Sequence, residues 1–182
     1  PVHYVSHGQA HGLLVTWVYT YIASTPHVNA ADNATVRLDL DNEVQPDVLL
    51  RIDEAAGGQS HISADDYVEG APELVVEVAH SSAAYDLHDK KTAYRRNGVR
   101  EYVVWQIEEN QVDWFALDGT AYATLDTEGG MLESRVFPGL VLDVEALLVR
   151  DVKAVLDAVR EGVGGAAHGE FVARLEEKSQ RG

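Results

Sequence analysis

Three residues carry the first chemistry this sequence offers: Asp47, Glu77 and Lys90. Asp47 follows Pro46 at the entry of the apolar run Val48-Leu49-Leu50, and Glu77 is the one charge inside Leu74-Val75-Val76-Glu77-Val78. A carboxylate among such neighbours is costly unless it is paired, protonated or bound to a cation. Two of them on neighbouring strands make a natural site for Mg²⁺ or Mn²⁺, hard cations held by one or two carboxylates together with waters and phosphate oxygens. Lys90 stands thirteen residues beyond Glu77. On a helix packed over the strand ends, its ammonium would enter the same cleft. Asp, Glu and Lys around a divalent cation suit phosphodiester hydrolysis: the cation polarises the phosphoryl group and acidifies a water, and the Lys orients that water or stabilises the developing charge. Each residue also has a plainer reading. Asp47 fits a turn after proline, Lys90 alone fits a solvated helix surface, and Glu77 could answer to a buried basic partner.

These side chains need a scaffold. Residues 8–24 have helical spacing at Leu14, Val18, Tyr21 and Ile22, and Pro26 stops the helix. Residues 35–40 alternate as a strand, Asp41-Asn42 turns, and residues 43–52 read as a second strand paired to it in a hairpin. Residues 55–70 read as a loop. The run 74–78 has the composition of a strand buried on both faces. After a loop at 81–84, Asp86 with Asp89 three residues on resembles a capping box for a helix ending near Arg96, where Asn97-Gly98 supplies a left-handed exit. Strands follow at 99–107, 112–117 and 122–125, the last two joined at Asp118-Gly119, and Pro138-Gly139 marks a further turn. Residues 151–182 read as a helix, a Gly-rich break at 162–165 and a polar helix expected to fray. This order implies an α/β (α+β-like) fold around one central sheet, with a domain at 1–150 and a helical tail at 151–182.

The 182 residues are 46% hydrophobic and 24% charged, which excludes a disordered or fibrous chain. No apolar run approaches the roughly 18–20 residues of a membrane helix. With no Cys and no basic-then-apolar N-terminal segment, the expected address is cytoplasmic. Thirty acidic against fourteen basic residues give a net charge of −16, which argues against a generic nucleic-acid-coating protein but leaves room for a nuclease with a local cationic field. Lys90, Lys91, Arg95, Arg96 and Arg100 fall within eleven positions. Lys91, Arg95 and Arg96 are thus candidate nucleic-acid contacts, although cations near a helix C-terminus are favoured in any case. His80 and His88 flank the site without ligand-like spacing. His3, His7 and His11 recur every four residues, a pattern read here as an accident of the N-terminal segment. Trp17, Trp105 and Trp114 read as core or interface.

The ordered series Gln45-Pro46-Asp47-Val48, Gly70-Ala71-Pro72-Glu73-Leu74-Val75-Val76-Glu77-Val78, Asp86, Lys90, Tyr94, Gly98-Val99-Arg100-Glu101-Tyr102 and Ser134-Arg135-Val136-Phe137-Pro138-Gly139-Leu140, with a helix opening at His11, resembles the Uma-two family. These are restriction-endonuclease-like bacterial proteins of the PD-(D/E)XK nuclease superfamily. The resemblance implies a central mixed sheet flanked by helices and a metal site of Asp47, Glu77 and the backbone carbonyl of Val78. It also implies Lys90 as the catalytic lysine, displaced onto the helix because Ala79 fills the position the superfamily gives to Lys. The implied activity is Mg²⁺- or Mn²⁺-dependent hydrolysis of DNA. The rival readings are a catalytically degenerate nuclease fold used for binding or assembly, and an enzyme acting on a small phosphorylated molecule. An exposed edge around residues 112–125, or the Trp105 region, would serve a homodimer.

Overall fold

A computed structural model describes residues 4–80 and 84–181. A π-helical turn, Tyr4–Gly8, leads into α1 (Gln9–Ile22). Five strands form the middle of the chain: β1 (Val28–Asp32), β2 (Val36–Arg37), β3 (Glu43–Val44), β4 (Val48–Ile52) and, after a 3₁₀ turn at Glu54–Ala56, β5 (His61–Ile62). Next come β6 (Val68–Glu69), β7 (Leu74–Ala79), α2 (Ala84–Arg96), β8 (Glu101–Gln106), β9 (Gln111–Asp118) and β10 (Ala121–Thr124). The chain closes with β11 (Met131–Glu133), β12 (Val141–Asp143), α3 (Val144–Leu148), α4 (Val152–Val163) and α5 (Ala166–Ser179).

The main sheet has the order β1-β4-β7-β8-β9-β10, antiparallel throughout except for the parallel pair β7·β8. A small sheet, β3-β2-β6-β5, and the ribbon β11-β12 flank it. The expected mixed sheet flanked by helices is what the chain forms. Strand alternation divides β7 between two cores. Leu74, Val76 and Val78 join α1, α4 and α5 residues such as Trp17, Val155 and Phe171, while Val75 and Ala79 join Tyr94, Tyr102 and Val104 on the α2 side. All three tryptophans are buried, and Trp17 meets Trp114 edge-on at 5.8 Å. The Trp105 ring is therefore part of the core. The free edge of the main sheet on that side is β10.

Several boundaries differ from the sequence reading. The hairpin exists, but only as β2·β3. The Asp39 carboxylate accepts the backbone N–H groups of Asp41 and Asn42, which curls the chain and leaves Leu40 exposed. Pro46, with no N–H to give a ladder, then separates β3 from β4, which crosses to the main sheet. The polar stretch before Thr35 forms β1, and the supposed loop at 55–70 contains β5 and β6. Asp86 lies inside α2 rather than capping it, and the residues just ahead of α2 fall outside those described. Gly98 does supply the left-handed exit, with φ +83. The helix expected to fray is docked: His168, Phe171 and Leu175 of α5 are buried. Gly162 belongs to α4 rather than to a break. It lets α4 approach the turn at Gly139 so closely that a Cβ at Gly162 would fall 2.3 Å from the Gly139 carbonyl oxygen.

Candidate active site

The antiparallel register pairs Val48 with Val76, and the ladder stops there. Continued by one residue, it would set Asp47 opposite Glu77. Instead the Asp47 side chain replaces the ladder, its Oδ2 accepting the Val78 backbone N–H at 2.7 Å. A strand residue sends its N–H and C=O to the same edge, so the Val78 carbonyl shares the side of β7 on which Asp47 sits.

Glu77 falls on the α2 face of β7 by parity with Val75 and Ala79. Two α2 residues one helical turn apart reach it. Lys90 Nζ lies 3.1 and 3.2 Å from its two carboxylate oxygens, and the Tyr94 hydroxyl donates to Oε1 at 2.7 Å. Glu77 is only 5% exposed. Burial pushes its carboxyl above the ordinary glutamate range, the Lys90 charge and the Tyr94 hydrogen bond pull it back, and the Asp47 charge pushes it further up. Tyr94, buried against that carboxylate, has its phenol raised well beyond the usual tyrosine range. The structure thus gathers Asp47, Glu77, Val78 and Lys90 at one end of β7.

The N-terminal histidines belong to the same neighbourhood. His11 Nε2 is 3.1 Å from the backbone carbonyl oxygen of Asp47, which can only accept, so that nitrogen carries the proton. His7 Nε2 stands 3.7 Å from Asp47 Oδ1, and its ring stacks on His11 at 5.8 Å and on His80 at 6.2 Å. The reading of His7 and His11 as accidental is corrected. Their four-residue spacing puts both on one face of the helix start, and the packing of α1 across β4 brings that face to Asp47. His3 lies outside the described residues. His88 is an exposed helix residue, and His80 is a loop residue whose ring joins the stack.

Of the candidate nucleic-acid contacts, Lys91 places Nζ 3.2 Å from the centroid of the Phe115 ring, Arg95 donates to the Thr120 carbonyl at 2.7 Å, and Arg96 is exposed. Burial lowers the Lys91 ammonium from its usual range, against the opposing charge of Asp113. Among the described residues no three His, Asp or Glu side chains gather into a metal cage.

The fold is shared with a solved protein: the crystal structure described as "a putative nuclease belonging to DUF820 from Anabaena variabilis ATCC 29413" is similar with a TM-score of 0.62 at 11% identity, over 82% of this chain and 83% of that one. The likeness is one of fold, a mixed α/β architecture. The particular family comes from the sequence itself. Residues 1–145 match the model of the Uma2 family, described as "Putative restriction endonuclease", and the chain belongs to that family. No curated protein matches it. No described helix is long and apolar enough to cross a membrane.

Proposed function

We propose that this chain is a divalent-metal-dependent endonuclease that hydrolyses DNA phosphodiester bonds. The observation that supports this most is the convergence of Asp47 and Glu77 at the end of a buried strand, with Lys90 against Glu77. Asp47, Glu77 and the Val78 carbonyl would hold Mg²⁺ or Mn²⁺. An all-oxygen set with two carboxylates suits a hard cation that keeps several waters, and a buried carboxylate whose ionisation burial opposes is one that a cation would relieve. When bound, such a cation polarises a phosphoryl oxygen and acidifies a coordinated water.

The chain's own groups do the rest. The Val78 amide holds Asp47 Oδ2 on one side, and His11 fixes the Asp47 carbonyl on the other, so the strand entry cannot swing away from Glu77. Tyr94 orients Glu77 Oε1. Lys90 spans from α2 to Glu77 with about a third of its side chain open to solvent, which suits an ammonium that positions an attacking water and stabilises charge building on the phosphoryl group. The test is metal-dependent cleavage of plasmid and single-stranded DNA by the wild type and Asp47→Ala. The proposal expects cleavage by the wild type only. Equal activity in both, or none in either across metals, would overturn it. One observation favours the degenerate-fold reading instead: both Glu77 oxygens already have protein donors. Under that reading the chain takes up no metal.

A further inference from the structure

At the other end of β4 from Asp47, beside Ile52, lies a cavity of about 250 Å³ bordered by Arg100, Arg135, Arg174 and Lys178 over a floor that includes Phe171 and Leu175. Four of the chain's fourteen Lys and Arg residues meet there, and no Asp or Glu lines it. Five residues of strand separate the two places, roughly 16 Å at the usual rise.

These cations are also uncommitted. Arg37, Arg51, Lys90, Lys153, Arg160 and Arg181 pair with carboxylates. None of the four at the cavity makes an ion pair among the described residues. Arg100 uses its Nε on the Gln59 side-chain oxygen at 3.0 Å, which leaves its terminal nitrogens. Arg174 lies along the Phe171 ring, and Lys178 extends over Gly57, where a Cβ would come 3.1 Å from Nζ. Gly57 has φ +90, so the left-handed 3₁₀ exit and the absent side chain together make room for the ammonium. Arg135 also borders a hollow lined by Asp126, Glu128 and Glu133.

A chain with thirty acidic side chains would ordinarily neutralise such a cluster with one of its own. Leaving it open costs self-repulsion among like charges, which an incoming anion relieves. Three planar guanidinium forks and one ammonium, carried by the bend just before β8, the β11–β12 connection and α5, border the opening. That arrangement suits a multiply charged, many-oxygen anion better than a single carboxylate. Two of the four residues sit on α5, outside the residues matched to the family, so this site is not part of what the family match covers. The geometry points to a binding site for a phosphate group, separate from the Asp47–Glu77 centre.

The test is calorimetric titration of the full chain with inorganic phosphate and with pyrophosphate, at low ionic strength and with a metal chelator present, using acetate as the comparator. The chelator makes the outcome independent of whether Asp47 and Glu77 catalyse. The wild type should take up one equivalent saturably. Arg135→Gln/Lys178→Gln and, as a second pair, Arg100→Gln/Arg174→Gln should each bind at least tenfold more weakly with unchanged thermal unfolding, and Lys91→Gln/Arg95→Gln should bind as the wild type does. A short DNA duplex that displaces phosphate would make the nucleic-acid backbone the source of the ligand; failure to displace it would make the source a small phosphate compound. Either result is consistent with the site. Phosphate heats no different from those of acetate, or uptake unchanged in both double variants, would overturn it.

Discussion

The two ends of β7 both bury carboxylates, and they do so in opposite ways. At the entrance, Glu73 and Glu101 are 0% exposed, and protein donors answer each. Glu73 accepts the backbone N–H groups of Ile52 and Gln59, while Glu101 accepts the Ser134 hydroxyl and the Arg135 N–H, both at 2.6 Å. These donors come largely from fixed, uncharged backbone, and no second carboxylate shares either group's contacts. Each acid therefore acts as a staple, Glu73 tying the end of β4 to the start of β7 and Glu101 tying the turn after β11 to β8. At the exit, Glu77 is answered by side chains, Lys90 and Tyr94, and it faces a second acid, Asp47. Two carboxylates against one ammonium leave a negative balance at a site with solvent access through Lys90. Burial alone does not separate the two ends; what sets Glu77 apart is a second acid and a part-exposed ammonium beside it, where Glu73 and Glu101 meet only uncharged donors.

The largest expected effect tests the exit. Glu77→Gln keeps shape and volume but removes the charge, so metal-dependent cleavage should fall on the order of 10²- to 10³-fold. Thermal stability should hold or rise, because burial opposes ionisation of this group. A loss of cleavage that merely tracks a loss of folded protein would make Glu77 a staple and erase the contrast. The entrance should respond the other way. Glu101→Ala strands the Ser134 and Arg135 donors and opens a cavity, so it should cost about 2–4 kcal/mol in denaturant unfolding while cleavage per folded molecule stays at the wild-type level. Tyr94→Phe removes one hydrogen bond to Glu77 and should cost roughly 1 kcal/mol in stability, with a loss of cleavage under about tenfold. Steady-state rates and melting curves on the same preparation would check it.

The smallest effect concerns pH. Burial raises the Glu101 carboxyl, with the Ser134 and Arg135 hydrogen bonds opposing. Folded Glu101 thus binds its proton more tightly than unfolded Glu101 does. Its contribution to stability is complete below the ordinary glutamate value and is lost as pH rises through the raised folded value. Glu101→Gln should flatten the fall of melting temperature between mildly acidic and neutral pH. An unchanged slope would remove Glu101 as its source.

Sequence pattern exposed the exit more readily than its supports. Glu77 stood out because one charge interrupts a run whose two-sided burial follows from its apolar continuity, and Gly98 because a helix must end where its left-handed residue sits. Lys90 and Tyr94 lie one turn apart, so the helix that carries one to Glu77 carries the other. The two-residue strands β5 and β6 left no periodicity to find. The contact of His11 with Asp47 spans thirty-six positions and depends on how α1 lies across β4, which no local pattern encodes. The docking of α5 was hidden in the same way, since Phe171 and Leu175 form only a short apolar stripe on a helix of mostly small and charged residues. The cationic cavity combines residues from three distant segments, and only packing shows them as neighbours.

The central claim is that Asp47 and Glu77 together form a cation site, and direct measurement of metal uptake tests it most closely. Calorimetric titration of the metal-free chain with Mn²⁺ should show saturable binding in the wild type, lost in Asp47→Ala and in Glu77→Gln and retained in Glu101→Gln. Absence of uptake by the folded wild type, or equal uptake in all four proteins, would contradict it.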